Sequence, residues 1–305
     1  MDFIKMMQEA CTEKETQGKA KTAAFYRTAT RHFTQYLVNY QQITRIDVSR
    51  ITHQLIIQYE QYLIDQCGVT RNTSSAYMRP LKTTYNNAVR LSICTNRYPF
   101  KSVFTGIDKT NKRAISQHII GQLINIDLHN RPELALSRDL FLFSFFTRGM
   151  AFIDIANLTH KHIVNGRIEY SRHKTHKQQS IRIETPIEKI IKRYADKERK
   201  HIFPLFDDDT FSQKKYDSAL RLHNLHLHRI SAMLRLSLPL TSYVARHSWA
   251  TQAHHKHVPI KVISEALGHS KEETTIIYLA SLNHRQVDKA NNTILQGYKK
   301  FFDAK

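Results

Sequence analysis

Arg148 is the first charged residue along the chain whose predicted apolar surroundings require an oppositely charged partner. It directly follows the apolar run LFLFSFF, on what the pattern predicts to be a buried helix. A guanidinium in such a place must pair with a carboxylate or meet an anion. A salt bridge to Asp154 and a simple helix cap at Gly149 are the alternatives to anion binding, and the position alone leaves them open.

Other polar side chains occupy turns and helix faces further along. Lys174 lies in a predicted turn between strands, where a side chain projects beyond the sheet and can reach a ligand. Tyr243 and Arg246 are three residues apart on a predicted helix, which puts them on one face. His269 lies at a predicted helix corner, and Tyr278 is expected about two turns into the next helix. Taken singly, each also fits a structural role, such as a basic loop or a core aromatic.

The composition favours a polyanionic partner. The chain has 305 residues, with 46 Lys and Arg against 26 Asp and Glu, and a formal net charge of +20. Such an excess attracts nucleic acid by direct attraction and by counterion release. The longest apolar stretch, Leu140 to Phe146, is too short to span a bilayer, so we expect no membrane partner.

Cysteine usage bears on the compartment. Cys11, Cys67 and Cys94 are odd in number and lack metal-ligand spacing, which argues against a disulfide framework and favours a reducing compartment. The N-terminal residues show no basic region followed by an apolar core, so we expect a cytoplasmic location without a secretory signal. The His-rich stretches at 223–228 and 254–257 include neither Cys nor an H-E-x-x-H pattern, and we predict no metal site.

The first hundred positions predict a helical bundle, because apolar residues recur there at three- and four-residue spacing. The predicted helices span 2–16, 20–40, 50–66 and 71–93. Asp47 to Ser49 and Asn72 to Ser74 are candidate caps for the last two. Periodicity then fades between Asn96 and Arg113, where breakers and positive charge are typical of an exposed linker. We therefore predict domains at 1–97 and 114–305, joined by a linker at 98–113.

The spacing of apolar residues changes in the middle of the second domain, from a helical to an alternating pattern. Helices are predicted near 116–124, at 138–150 and again from Glu188 onward. Between them Asn165-Gly166 is a type I′ hairpin signal, and alternating runs at 167–172 and 180–184 predict strands. The fold class is therefore mainly α, an N-terminal helical bundle followed by a mostly helical domain with a small three-stranded antiparallel sheet.

Read together, these fragments resemble a known family. In order they are RGM at 148–150, DIANL at 154–158, HKT at 173–175, ARHSWAT at 245–251, LGH at 267–269 and Tyr278 nine residues later. Their order and spacing resemble the tyrosine recombinases of the phage integrase family over the whole chain. The resemblance implies a SAM-like core-binding domain before a catalytic domain. It also implies an enzyme that cleaves and rejoins DNA for integration, excision or inversion.

The resemblance further implies an active site. Its residues are Arg148, Lys174, Tyr243, Arg246, His269 and Tyr278. The two arginines would stabilise charge on the phosphate oxygens, and Lys174 would protonate the leaving 5′ oxygen. His269 with the arginines would activate Tyr278, whose attack gives a 3′-phosphotyrosyl link. The family often has His where Tyr243 stands, and a phenol of pKa about 10 suits a hydrogen bond to phosphate better than proton transfer.

Partners and alternatives follow from the same resemblance. It implies no metal or nucleotide cofactor, double-stranded DNA recombination sites as substrate, a homotetramer joined by C-terminal helix exchange, and accessory DNA-bending or excision factors. The segment after Leu282, with an apolar face at Leu295, Tyr298, Phe301 and Phe302, can dock on a neighbour or on its own core. The candidate DNA-binding residues are Arg27, Arg31, Arg79, Lys82, Arg172, Lys177 and Arg229. A topoisomerase IB-like enzyme and a DNA-binding protein without catalysis are the alternative functions.

Overall fold

The computed structural model forms two compact units, Met1–Thr110 and Asn111–Lys305. The structure describes residues 1–108, 114–194, 196, 198–206, 211–278, 291 and 295, without the side chains of 277 and 278. Its helices and single three-stranded sheet, within that part of the chain, confirm the mainly α fold class. None of the helices there combines the length and apolar character that crossing a membrane requires.

The first unit is the predicted helical bundle. Its helices are α1 (Phe3–Thr16), α2 (Ala20–Gln41), α3 (His53–Gln61) and α4 (Arg71–Arg90), with a π-helical turn at Tyr62–Gln66 continuing α3. These bounds confirm the predicted helices to within about three residues at each end, the uncertainty usual for helix ends.

Two of the predicted caps were wrong. The cap of α3 is Thr52, whose side chain accepts a hydrogen bond from the Leu55 amide at 3.2 Å. The cap of α4 is Thr70, which accepts from the Thr73 amide at 3.3 Å. Both threonines are the last extended residues before the helix, the geometry that a cap requires. Asp47 instead caps a short 3-10 turn.

An aromatic core holds the first unit together. Phe33 packs edge-on against Phe3 and Tyr59, with ring centroids 6.1 and 4.9 Å away, and all three are buried. Phe100 and Val103 are buried in the same core. The described part of the predicted linker, 98–108, therefore packs two side chains into the first unit and leaves Tyr98 and Ile107 exposed, while 109–113 lie outside the described residues.

The second unit is mostly helical, with the predicted sheet inserted. Its elements are α5 (Gln117–Asn125), α6 (Pro132–Phe146), α7 (Phe152–Ala156), β1 (Ile163–Val164), β2 (Arg167–Ser171), β3 (Gln178–Arg182), α8 (Thr185–Tyr194), α9 (Gln213–Met233), α10 (Ser242–His255), α11 (Ile260–Ala266) and α12 (Glu272–Tyr278). The antiparallel strands follow the order β1-β2-β3. Asn165 and Gly166 have φ of 48° and 71°, the pair of positive values that a type I′ hairpin needs.

α6 is the central helix of this unit and packs against α8, α9 and α10. Its apolar residues cover almost the whole circumference, and Phe141 and Phe143 are fully buried. Asp139 on the same helix is a buried carboxylate that accepts from Arg193 at 2.5 Å and from the Tyr194 hydroxyl at 2.7 Å. This cluster ties α6 to α8 and satisfies the buried charge.

Candidate active site

Arg246, on α10, is held in place by three neutral groups. One terminal nitrogen donates to the Gly149 carbonyl at 2.7 Å, and the other donates to the Leu267 carbonyl and to His269 Nε2, the latter at 3.1 Å. The side chain is 4% exposed, and burial together with the nearby Arg172 lowers its pKa to about 10. It is therefore still charged at neutral pH, and no carboxylate forms a salt bridge with it among the described residues.

The backbone after α6 lies directly against Arg246. Gly149 has φ of +75°, and a Cβ added there would be 2.7 Å from Arg246 Cγ and 2.8 Å from its Cα. Only glycine combines that left-handed backbone with so close an approach. Gly149 thus fixes the position of the arginine, a requirement that the sequence pattern did not reveal.

His269 lies at the predicted corner, between α11 and α12, and is 7% exposed. Its Nδ1 is 2.8 Å from the Thr275 hydroxyl. Because Arg246 can only donate, Nε2 of His269 must accept, so the ring proton is assigned to Nδ1. Burial, followed by the positive charges of Arg246, Arg172 and Lys174, lowers the pKa of His269 to about 4. The ring is therefore neutral at neutral pH.

The β2–β3 turn carries Lys174 towards this corner. The His173 amide donates to Asp154 Oδ1 at 2.9 Å, which ties the turn to α7. Arg172 donates to the Gly268 carbonyl at 2.7 Å, which ties it to the corner. Lys174 itself is exposed, and its charge contributes to the lowered pKa of His269.

Asp154 is a buried carboxylate that supports the β2–β3 turn. It is 5% exposed, and burial raises the pKa of its carboxyl group. It holds the β2–β3 turn and forms no salt bridge with Arg148 among the described residues. The salt-bridge alternative for Arg148 is therefore wrong.

The environment of Arg148 also differs from the predicted one. α6 ends at Phe146 and not at 150, so Arg148 follows the helix, in a left-handed conformation with φ of 60°. It is half-buried, and its positive charge partly offsets the rise in the pKa of Tyr170 that burial causes. Within the described part of the chain its guanidinium has no hydrogen-bond or ion-pair partner, which leaves it available to an anion.

Arg172, a predicted DNA-binding residue, is a buried side chain in this structure. It is 8% exposed, and its charge lowers the pKa of both Arg246 and His269. Arg148 is not among the main contributors to either shift. The structure thus places Arg172, which sequence reasoning assigned to the general DNA surface, within the Arg246–His269 cluster.

Two tyrosines complete the set predicted from the sequence. Tyr243 is 52% exposed and lies edge-on to the His247 ring, with centroids 4.8 Å apart. Partial burial raises the pKa of its phenol, so the hydroxyl stays protonated at neutral pH. Tyr278 is the last residue of α12, one helical turn after Thr275, and its side chain lies outside the described residues.

The remaining candidate DNA-binding residues are mostly exposed. Arg31 and Arg79 in the first unit are exposed, as are Lys177 and Arg229 in the second. Arg27 is exposed but pairs with Glu15, and Lys82 donates to the Thr105 hydroxyl at 3.2 Å. In the C-terminal segment Leu295 is 49% exposed. Tyr298, Phe301 and Phe302 lie outside the described residues.

The His-rich stretch on α9 has a structural environment. His223 is 3% exposed and stacks on Phe152, with ring centroids 4.7 Å apart. His226 Nδ1 is 3.1 Å from the Ser137 hydroxyl. Across the described residues no group of three His, Cys, Asp or Glu side chains is arranged to hold a metal ion.

Comparison with known structures gives the same architecture. The Tn1549 transposon integrase, in complex with a circular intermediate DNA, matches with a TM-score of 0.71 and 15% identity over 96% of this chain and 99% of that chain. A lambda integrase dimer bound to a COC′ core site matches with a TM-score of 0.70 and 14% identity over 91% of this chain and 95% of that chain. A lambda integrase tetramer bound to a Holliday junction matches with a TM-score of 0.70 and 13% identity over 92% of this chain and 78% of that chain. No curated protein matches the chain.

Family descriptions cover almost the entire chain. The phage integrase SAM-like domain matches residues 2–105, and the phage integrase family matches residues 117–285. These matches confirm the resemblance seen in the motifs and contain every residue of the cluster around Arg246. The chain belongs to the phage integrase family and is a tyrosine-type site-specific recombinase, an enzyme that cleaves and rejoins DNA strands through a 3′-phosphotyrosyl intermediate.

Proposed function

We propose that Arg246 is the centre of the catalytic site and that Tyr278 is the nucleophile. The observation that carries the assignment is a buried, charged guanidinium held only by carbonyl groups and a neutral imidazole. Its positive charge is not neutralised by a salt bridge within the described residues, so it can stabilise a phosphate in the transition state.

The reaction follows from this arrangement. The Tyr278 oxygen attacks the phosphorus and passes its proton to solvent water, the bond between phosphorus and the 5′ oxygen breaks, and Lys174 gives a proton to that oxygen. Lys174 suits this step because it is exposed on a turn that is anchored beside His269. His269 accepts from Arg246 through Nε2 and so orients the guanidinium, a role that a ring neutral at working pH can perform.

Covalent trapping tests the nucleophile. A nicked suicide duplex carrying the enzyme's own recombination site should give a protein–DNA adduct on a denaturing gel with the wild type. Tyr278→Phe lacks the attacking oxygen, so it should bind the duplex and give no adduct. Equal adduct from both proteins on a verified site would refute the assignment.

Arg148 and Arg172 are the two candidates for the second phosphate-binding arginine. Family resemblance favours Arg148, which has no partner within the described residues, whereas proximity to Arg246 and His269 favours Arg172. Replacing the arginine that contacts the scissile phosphate by Lys should reduce adduct formation about 100-fold or more, since Lys cannot donate two parallel hydrogen bonds as a guanidinium does. Arg148→Lys and Arg172→Lys, assayed side by side with DNA-binding controls, decide between them.

The assembly and location are proposals of the same kind. We propose that the enzyme acts as a homotetramer on two duplexes, supported by the fold shared with lambda integrase, which is seen as a tetramer on a Holliday junction. A topoisomerase-like enzyme would instead relax plasmids as a monomer without paired sites, so a plasmid relaxation assay with and without sites separates the two. The three free cysteines support a reducing, cytoplasmic compartment.

A further inference from the structure

Thr275 connects His269 to the helix that carries Tyr278. The threonine lies in α12, three residues before Tyr278, and is fully buried. Its hydroxyl oxygen is 2.8 Å from Nδ1 of His269, a short contact between two buried groups. The next residue back, Thr274, is exposed, so the helix presents one threonine to the corner and the other to solvent.

The direction of this hydrogen bond is determined by Arg246. Because the guanidinium donates to Nε2, the neutral ring has its proton on Nδ1, and Nδ1 donates to Thr275. Without that acceptor the buried Nδ1–H of His269 would lose its hydrogen bond to Thr275, and the ring could turn or change tautomer. Either change would remove the acceptor that holds Arg246.

A continuous chain of hydrogen bonds therefore joins α10 to α12. It runs from Arg246 through His269 to Thr275, and every member is less than a tenth exposed. From Thr275 to Tyr278 the connection is one turn of helix backbone. The Thr275 hydroxyl is thus one connection between the phosphate-binding arginine and the backbone of the nucleophile.

We propose that Thr275 is a positioning residue for strand cleavage, which holds the His269 tautomer and aligns α12 with Arg246. The inference rests on the proposed roles of Arg246 and Tyr278. It assigns the hydroxyl a function that packing alone would not require.

Substitutions at 275 separate the hydroxyl from its packing. Thr275→Val keeps the shape and loses the acceptor, whereas Thr275→Ser keeps the acceptor and loses a methyl group. Adduct formation on the suicide duplex should fall about tenfold or more for Val, corresponding to one lost buried hydrogen bond, and stay near wild type for Ser. DNA affinity should change little in both. Thr274→Val, the same change at the exposed neighbour, is the matched control.

Two further comparisons separate the effect of the hydroxyl group from the effect of misfolding. Thr275→Ser and Thr275→Ala differ only in the hydroxyl, so a lower rate for Ala tests the hydrogen bond even if the valine variant folds poorly. In a His269→Ala background, Thr275→Val should cause no further loss, because the threonine acts through the histidine.

The outcomes separate this inference from the proposed function. If Thr275→Ser cleaves more slowly than Thr275→Val, the threonine has a packing role and the inference is wrong. The inference is also wrong if Thr275→Val cleaves as fast as Thr274→Val, or if it causes its full loss of cleavage again in the His269→Ala background. If the wild type forms no adduct, or Tyr278→Phe forms one, the proposed function itself fails.

Discussion

Close contact between Gly149 and Arg246 shows how tightly single residues are constrained at this site. The glycine carbonyl accepts from the guanidinium, and its α-carbon leaves no room for a side chain. The same backbone turn places Arg148 just beyond α6. One left-handed glycine therefore contacts Arg246 and directly follows Arg148, the two arginines that the reaction is expected to use.

Gly149→Ala should impair both folding and cleavage. A left-handed backbone costs a non-glycine residue about 1–2 kcal/mol, and the added Cβ would overlap Arg246 at a further cost of about 1–3 kcal/mol. Urea unfolding followed by the fluorescence of Trp249, the chain's one tryptophan, measures the loss in the second unit.

Gly166→Ala is the matched control for that change. Gly166 has φ of +71°, close to the value at Gly149, but a Cβ there would meet nothing within 4 Å. It should therefore lose only the backbone contribution and keep normal cleavage. Equal losses of stability and activity in the two variants would contradict the close-contact explanation.

Among the elements, α9 contributes a buried histidine that links stability to pH. His223 stacks on Phe152, and burial lowers its pKa from 6.5 to about 3. In the unfolded chain the ring takes up a proton as the pH falls below 6.5, whereas the folded protein excludes it down to about pH 3. The free energy of unfolding therefore decreases as the pH falls through this window.

His223→Phe should flatten that pH dependence. Replacing the histidine removes up to about 1.4 kcal/mol per pH unit from the slope below pH 6.5, whatever the change in absolute stability. Urea titrations at several pH values between 4 and 7 measure the slope. His228→Phe, at an exposed position of the same helix, is the control. A slope unchanged in His223→Phe would show that other groups cause the acid sensitivity.

For the molecule as a whole, the dominant property is charge. A formal net charge of +20 over two compact units suits a protein that binds DNA phosphates. Exposed basic residues such as Arg31 and Arg79 in the first unit, and Lys177 and Arg229 in the second, offer such contacts without rearrangement. Arg172 differs from them because it is buried.

DNA binding should accordingly weaken steeply with salt. The logarithm of the affinity should fall linearly with the logarithm of salt concentration, and loss of one phosphate contact should reduce the slope by about one. Arg79→Ala, measured by fluorescence anisotropy on a non-specific duplex, should show that reduction. Lys192→Ala, at a residue that pairs with Glu188 on α8, should not. A salt-independent affinity would exclude phosphate contacts as the main source of binding.

The sequence by itself determined the elements and the family. Most helix bounds follow from apolar spacing and the hairpin follows from Asn165-Gly166, because these signals are local. The order of short motifs along the chain identifies the recombinase. Only the tertiary structure decided which groups meet. Arg172 reaches Gly268 across 96 positions, and Arg246 reaches Gly149 across 97. Such contacts depend on how α6, the β2–β3 turn, α10 and the corner pack, and no local pattern encodes that packing.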